Sequence, residues 1–274
     1  MRPTEQFANS FTRSQPWVSV CRDEIALKGR QNDVLPPFQG SRSGQLQTQG
    51  WRPGLMPNAA SRLLVLLLVL LIPAQAQTPA RQPAPVMGVA GAEWLTRPER
   101  IQEEDPDRML ASLEIKPGSV VADIGAGVGY HTWRMAEIVG PSGKVIAEDI
   151  QEGMVALLKK NVSDRKLKNV DIILGTPTDP KLPNNSIDLV LMVDVYHEFS
   201  DPVTMMSRIR SSLKPGGRAV LVEFRKEDPK VPIQPLHKMS VQDVRSELEP
   251  LGFKFQRTLE FLPWQHIIFF SSGK

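Results

Sequence analysis

The chain has 274 residues, enough for one large domain or two small ones. Its net charge of +3 comes with no Lys/Arg run that could track phosphates, which argues against a nucleic-acid partner. The single cysteine, Cys21, excludes an internal disulfide and a cysteine-based metal site. The four histidines show no H-x-x-x-H spacing, so the pattern points to no metal ligand set.

Residues 1–55 mix Gln, Ser, Arg, Pro and Gly without sustained apolar periodicity and read as a disordered upstream extension. Residues 56–76 read as a signal peptide: Arg62, ten unbroken apolar residues from Leu63 to Ile72, Pro73, then Ala74-Gln75-Ala76. Ten residues make about 15 Å of helix, half of a hydrocarbon core that takes about 20 residues to cross. The segment is therefore too short for a stable span, and membrane contact is expected only during export. Translation from Met56 is the simplest account of its position, with an internal anchor as the alternative. The expected location is periplasmic or secreted if the signal is used, and cytoplasmic otherwise. Residues 77–90 are rich in Pro and Ala and read as a linker that does not pack, with the folded domain occupying 91–274.

Strand and helix signals alternate from there to the end, which points to an α/β layered domain with a largely parallel sheet. A lead-in helix over 99–113 is interrupted at Asp105-Pro106. Strands are expected at 119–124, 144–149, 170–174, 187–193 and 218–224. Helices are expected at 130–139 and 151–161, then after the Asp201-Pro202 start, and after Ser240. Two closing strands, near 253–259 and 265–270, are close enough to pair antiparallel.

The chemistry is concentrated in VVADIGAGVGY, residues 120–130. A strand runs into a glycine loop that opens a helix, so backbone N–H groups can approach a ligand closely. The spacing is Gly125-x-Gly127-x-Gly129, and Tyr130 stands where a dinucleotide fingerprint wants its third glycine. Asp123 at the strand end would repel a pyrophosphate but suits an ammonium or sulfonium. Asp149, 26 residues on, falls where a nucleotide site needs a carboxylate for ribose hydroxyls, while Glu148 points to the other side of the strand. The loop 175–183, the stretch VDVYHEF after strand four and LKPGGR before strand five complete an ordered set of five elements.

In that order these elements resemble the class I S-adenosylmethionine-dependent methyltransferases, over about 120–270. The resemblance implies a Rossmann-like fold: seven strands, mostly parallel, strand seven antiparallel, helices on both faces. It implies S-adenosyl-L-methionine as cofactor and methyl transfer as the activity. Carried over, Asp123, Gly125, Gly127 and Gly129 surround the methionine part, Asp149 takes the ribose hydroxyls, and the loop from Gly175 through Thr176 to Thr178 borders the adenine, with Ile150 and Asp194 as further cofactor-binding residues. Many relatives read Gly-Asp where this chain has Gly175-Thr176, which leaves the adenine contact open; Asp179 is a candidate substitute.

Acceptor-side candidates lie at the strand ends facing the cofactor: Asp194, Tyr196, His197 and Glu198, then Glu223 and Arg225, with His237 and Lys238 in a Pro-rich loop of lid length. Among them His197, Glu223 and Tyr196 are the expected catalytic set, His197 as a base oriented by Glu223. Ordinary alternatives are ion pairs for Glu198 and Arg225 and loop packing for His237. Without a basic patch, a small molecule is the expected acceptor. Arg97-Pro98-Glu99-Arg100 is similar to segments that cover the site in small-molecule relatives. Rival readings are an exported non-catalytic module that keeps the fold and, opposed by Asp123 and Tyr130, a nicotinamide-dependent dehydrogenase.

Overall fold

The computed structural model describes residues 81–274, and the segments read above as a signal peptide and an upstream extension lie outside the described residues. Two short helices lead in: α1 (Arg100–Glu104) and α2 (Pro106–Ser112). They break where expected. Asp105 takes a left-handed conformation, φ 45°, and Pro106, lacking an N–H, starts α2. The alternating core follows as β1 (Val120–Ile124), α3 (Thr132–Val139), β2 (Lys144–Asp149), α4 (Glu152–Asp164), β3 (Val170–Leu174), β4 (Ile187–Val193), α5 (Pro202–Ser212) and β5 (Leu213–Arg225). The chain closes with β6 (Lys238–Met239), α6 (Val241–Leu248), β7 (Lys254–Leu259) and β8 (Gln265–Ser271).

The sheet order is β3-β2-β1-β4-β5-β8-β7, with the two-residue β6 pairing beside β5. The expected seven strands are thus joined by one short extra strand. The first five run parallel, and β8 runs antiparallel between β5 and β7. Strand β5 starts five residues earlier than the glycine pair suggested, because Leu213 already pairs with Ile187 across a register shift.

The central strands are buried on both faces, and alternation divides them between two cores. Ala122, Ile124, Val190, Met192 and Leu221 pack against Met205, Met206 and Ile209 of α5 and Val244 and Leu248 of α6. Val121, Leu189, Leu191, Val220 and Val222 pack against α2 and α3 through Met109, Leu110, Met135 and Val139. Both helices over the first core start at side-chain caps: Asp201 accepts from Thr204 N–H, and Ser240 and Asp243 form a reciprocal capping box. With both faces covered, the open ground lies beyond the carboxyl ends of the parallel strands, where such sheets bind ligands.

Residues 81–90 do not behave as the expected linker. They pack along that edge, with Ala84 buried and its N–H donating to His197 O at 2.9 Å. Met87 N–H donates to Glu198 Oε1 at 3.2 Å, and Gln151 Nε2 donates to Met87 O at 2.9 Å. Small residues and prolines let this extended segment lie flat on the domain, and backbone hydrogen bonds replace the missing apolar bulk. No helix among the described residues is long and apolar enough to cross a membrane.

Candidate active site

One cavity runs along the strand ends, bordered by the loops after β1, β2 and β4 and roofed by the segment 86–100. Its first wall is the loop Gly125–Val128. Gly125 and Gly127 have φ of 66° and 54°, conformations that β-carbons oppose, so glycine lets the loop turn its amides to the acidic end of β2. Gly127 N–H donates to Asp149 Oδ2 and Gln151 N–H to Asp149 Oδ1, each at 2.9 Å. These bonds hold the carboxylate at the cavity wall, with Ile150 beside it. Burial raises the Asp149 pKa, while the backbone donors oppose the rise.

Asp123 is buried behind the loop and accepts from Thr132 Oγ1 at 2.6 Å. Burial pushes it up to about 6, partly offset by Thr132 and by the charge of Arg100. A cationic ligand group would favour its charged form. Asp194, at the end of β4, has φ 51°, an uncommon value for a non-glycine residue. Gln265 Nε2 donates to its Oδ2 at 2.6 Å, while its buried Oδ1 has no hydrogen-bond partner among the described residues.

Glu148 departs from the sequence reading. Its side chain lines the same cavity as Asp149, and its buried Oε1 has no hydrogen-bond partner among the described residues. A β-carbon on Gly175 would lie 1.8 Å from that oxygen, so glycine is required there to make room for it. Burial pushes Glu148 up to about 8, against the bond from Gly125 N–H; Asp149 and Asp123 add to the rise and Lys181 opposes it. Between its ordinary 4.5 and that value the folded chain holds a proton that the unfolded chain has released. Stability therefore falls as pH rises through this window, by up to about 1.4 kcal/mol per pH unit. Glu148→Gln should flatten the fall in urea midpoints between about pH 6.5 and 8, where the wild type is still releasing that proton. An unchanged slope in the variant would show that Glu148 titrates elsewhere.

The other end of the cavity carries the histidines. His197 Nδ1 lies 2.5 Å from Glu223 Oε2, and both side chains are buried. Glu223 Oε1 accepts from Tyr196 N–H at 3.0 Å, so the carboxylate is fixed from two sides. Burial works to lower the His197 pKa, but the charge and hydrogen bond of Glu223 outweigh it and the net shift is upward. His237 Nδ1 stands 3.1 Å from His197 Nε2. Burial and the neighbouring His197 push His237 down to about 4. Glu198 lines the cavity beside them.

Several expected site residues lie elsewhere. Tyr196 is in the core, and its hydroxyl donates to Glu247 Oε2 of α6 at 2.6 Å, away from the cavity. Its place in the catalytic set is not supported. Gly129 does not line the cavity. It is glycine because φ is 86° and a β-carbon would meet Leu158 at 2.6 Å. Gly175 and Thr176 are also outside the lining, which takes Pro177 from that loop. Asp179 is tied to Thr176 in a local bridge and caps Lys181 N–H, so it is not an adenine contact. Arg225 donates to the carbonyls of Leu262, Pro263 and Gln265 and pairs with Glu260, which is a structural role.

Sequence reasoning did not single out Trp94, Leu95 or His131, all of which line the cavity. Arg100, in the noted RPER stretch, lines it too and is held by Glu104 at 2.6 Å and Leu95 O at 2.8 Å.

A parallel sheet with a glycine loop after β1 and an acidic end to β2 defines a Rossmann-like nucleotide site. Comparison with known proteins specifies it. Residues 115–260 match the family model described as a methyltransferase domain, and the chain belongs to that family. It is 30% identical over 189 residues to demethylmenaquinone methyltransferase of Lactococcus lactis, covering 61% of this chain and 73% of that one. It is 34% identical over 111 residues to nocamycin O-methyltransferase of Saccharothrix syringae, where the match spans only 40% of either chain. A solved S-adenosylmethionine-dependent methyltransferase from Aquifex aeolicus superposes with a TM-score of 0.65 at 27% identity, over 68% of this chain and 99% of that one.

S-adenosylmethionine is therefore the cofactor, and the cavity fits it. The orphaned Asp194 and Glu148 oxygens can accept from it, and Asp123 and Asp149 offer negative charge to a cationic nucleoside. When bound, it supplies a methyl group on a positively charged sulfur.

Proposed function

We propose that this protein transfers a methyl group from S-adenosylmethionine to a small, ring-bearing acceptor with a hydroxyl group, of the phenol or quinol class. The observation that carries this reading is the buried His197–Glu223 pair, set in the wall of the cavity that also holds Asp123 and Asp149. Around the histidine the lining is apolar and aromatic, with Val193, Phe199, Phe224 and Ile233, which suits a flat apolar body. The polar pair then meets the acceptor's one polar edge. Alignment of acceptor and methyl supplies most of what a methyl transfer needs, and His197 acts on the acceptor oxygen. The two named relatives act on different acceptors by name, and that of L. lactis supports a quinone-type ring here.

The test is methyl transfer from labelled cofactor to a panel of reduced naphthoquinols, phenols, amines and thiols. Turnover confined to the hydroxylated rings is expected. Turnover only with amines or thiols would overturn the acceptor class, and cofactor binding without transfer to any of them would favour a non-catalytic binding module.

Export is the second part of the reading. It is supported by the Arg62, ten-residue apolar and Ala-x-Ala order. Amino-terminal sequencing of the protein from its native host should begin at Gln77. A cytoplasmic chain that retains residues 1–55 would refute it.

A further inference from the structure

His197 and Glu198 come from the turn after β4, while His237 comes from the loop before β6, 40 residues later. One ligand atom from each lies within 4.8 Å of the other two. His197 Nε2 and His237 Nδ1 are 3.1 Å apart. Metal–nitrogen bonds of about 2.0–2.1 Å, at tetrahedral or octahedral angles, put neighbouring ligand atoms about 3 Å apart. The two imidazoles already stand at that spacing.

The surroundings fit as well. The other ring nitrogen of His197 is held by the buried carboxylate of Glu223 at 2.5 Å. That arrangement fixes the tautomer and leaves Nε2 to point its lone pair toward an ion, as the outer partners of metal-bound histidines do. Met87 N–H holds one oxygen of Glu198 and so fixes that carboxylate. All three side chains border the cavity, and the ion's remaining positions would open onto it.

We propose that His197 Nε2, His237 Nδ1 and the Glu198 carboxylate bind one divalent transition-metal ion of the zinc type, with Glu223 as a positioning residue. Two imidazoles and one carboxylate are the donor set that such ions take when a position is left for substrate. The use of the ion rests on the methyl-transfer reading: it would hold the acceptor's hydroxyl oxygen and ease the loss of its proton to solvent water. Its binding does not rest on that reading. In this arrangement the His197 lone pair is committed to the ion, so the ring is not itself the base.

The experiment uses the tag-free full chain, stripped with a chelator and titrated with zinc chloride by calorimetry and with cobalt chloride by visible absorption. Magnesium chloride serves as the control. One equivalent of zinc should bind, cobalt should produce ligand-field bands, and magnesium should do neither. Glu223→Gln should weaken zinc about 10–100-fold, and His237→Ala should weaken it further. Each variant is also titrated with S-adenosylmethionine, since retained binding shows that the domain is folded. A wild type that takes up no zinc, or a cobalt spectrum unchanged in both His197→Ala and His237→Ala, would overturn the proposal and leave an imidazole–imidazole hydrogen bond. If S-adenosylmethionine fails to bind the stripped protein while zinc binds, the methyl-transfer reading falls and the metal site stands.

Discussion

Replacing His197 by alanine should lower kcat by about 10²–10⁴-fold, the range spanned by a positioned acid–base group, whether the ring meets the acceptor oxygen directly or through the proposed ion. Its affinity for S-adenosylmethionine should stay within about threefold of wild type, a change below 1 kcal/mol. The reason lies in the two ends of the cavity. Asp149 and the glycine amides form one end, and His197, Glu223 and His237 the other. Removing the ring strips Glu223 Oε2 of its partner inside the domain, although Oε1 keeps the bond from Tyr196 N–H. Some loss of melting temperature is therefore expected, because a buried carboxylate is left half-satisfied. Glu223→Gln keeps the shape and an acceptor oxygen, so it should show a smaller drop in kcat. Measuring kcat, cofactor Kd and melting temperature on the same variants separates the roles. A lower melting temperature with kcat intact would make His197 a packing residue.

Most of the fold was legible in the sequence because its signals are local. Pro202 after Asp201, Ser240 before an apolar helical stripe and the Asp105-Pro106 break all specify backbone conformation within a few residues, and the elements start and stop there. The grouping of Gly125, Gly127 and Asp149 around one cavity was legible for the same reason: they sit at strand ends whose positions periodicity reveals. The acceptor end was only half legible. His197 and Glu223 follow neighbouring parallel strands, so their approach could be expected from strand order. The meeting of His197 with His237 depends on how a Pro-rich loop returns over the sheet, and no spacing rule reports that. Glu148 was misplaced by strict alternation. Glu148 is still in regular register within β2, and its side chain reaches the cavity through the space that Gly175 leaves. The segment 81–90 was misread because its contacts are backbone hydrogen bonds, which composition does not show.

The second large effect is expected at Asp149. Its carboxylate accepts from Gly127 N–H and Gln151 N–H, and each oxygen keeps a second lone pair for a ligand hydroxyl. Asp149→Ala would remove two charge-assisted bonds to the ribose, each worth roughly 1.5–3 kcal/mol. It would also release the amide of Gly127 from the carboxylate that now holds the loop. Affinity for S-adenosylmethionine should fall at least about tenfold, since 1.4 kcal/mol is one decade. Asp149→Asn keeps an oxygen for one loop amide but loses the charge, so it should fall between alanine and wild type. Gly127→Val tests the loop from the opposite direction. Its φ of 54° disfavours a branched residue, and even a β-carbon would sit 3.0 Å from Leu95 Cδ1. The strained loop should turn its amide away from Asp149 and displace Leu95 from the cavity roof, which abolishes binding. Calorimetry with the cofactor and with its demethylated product reads all three variants. The product lacks the methyl group but keeps the ribose, so Asp149→Ala should weaken the two ligands by similar factors. A loss confined to S-adenosylmethionine would mean that Asp149 faces the sulfonium charge and not the ribose hydroxyls.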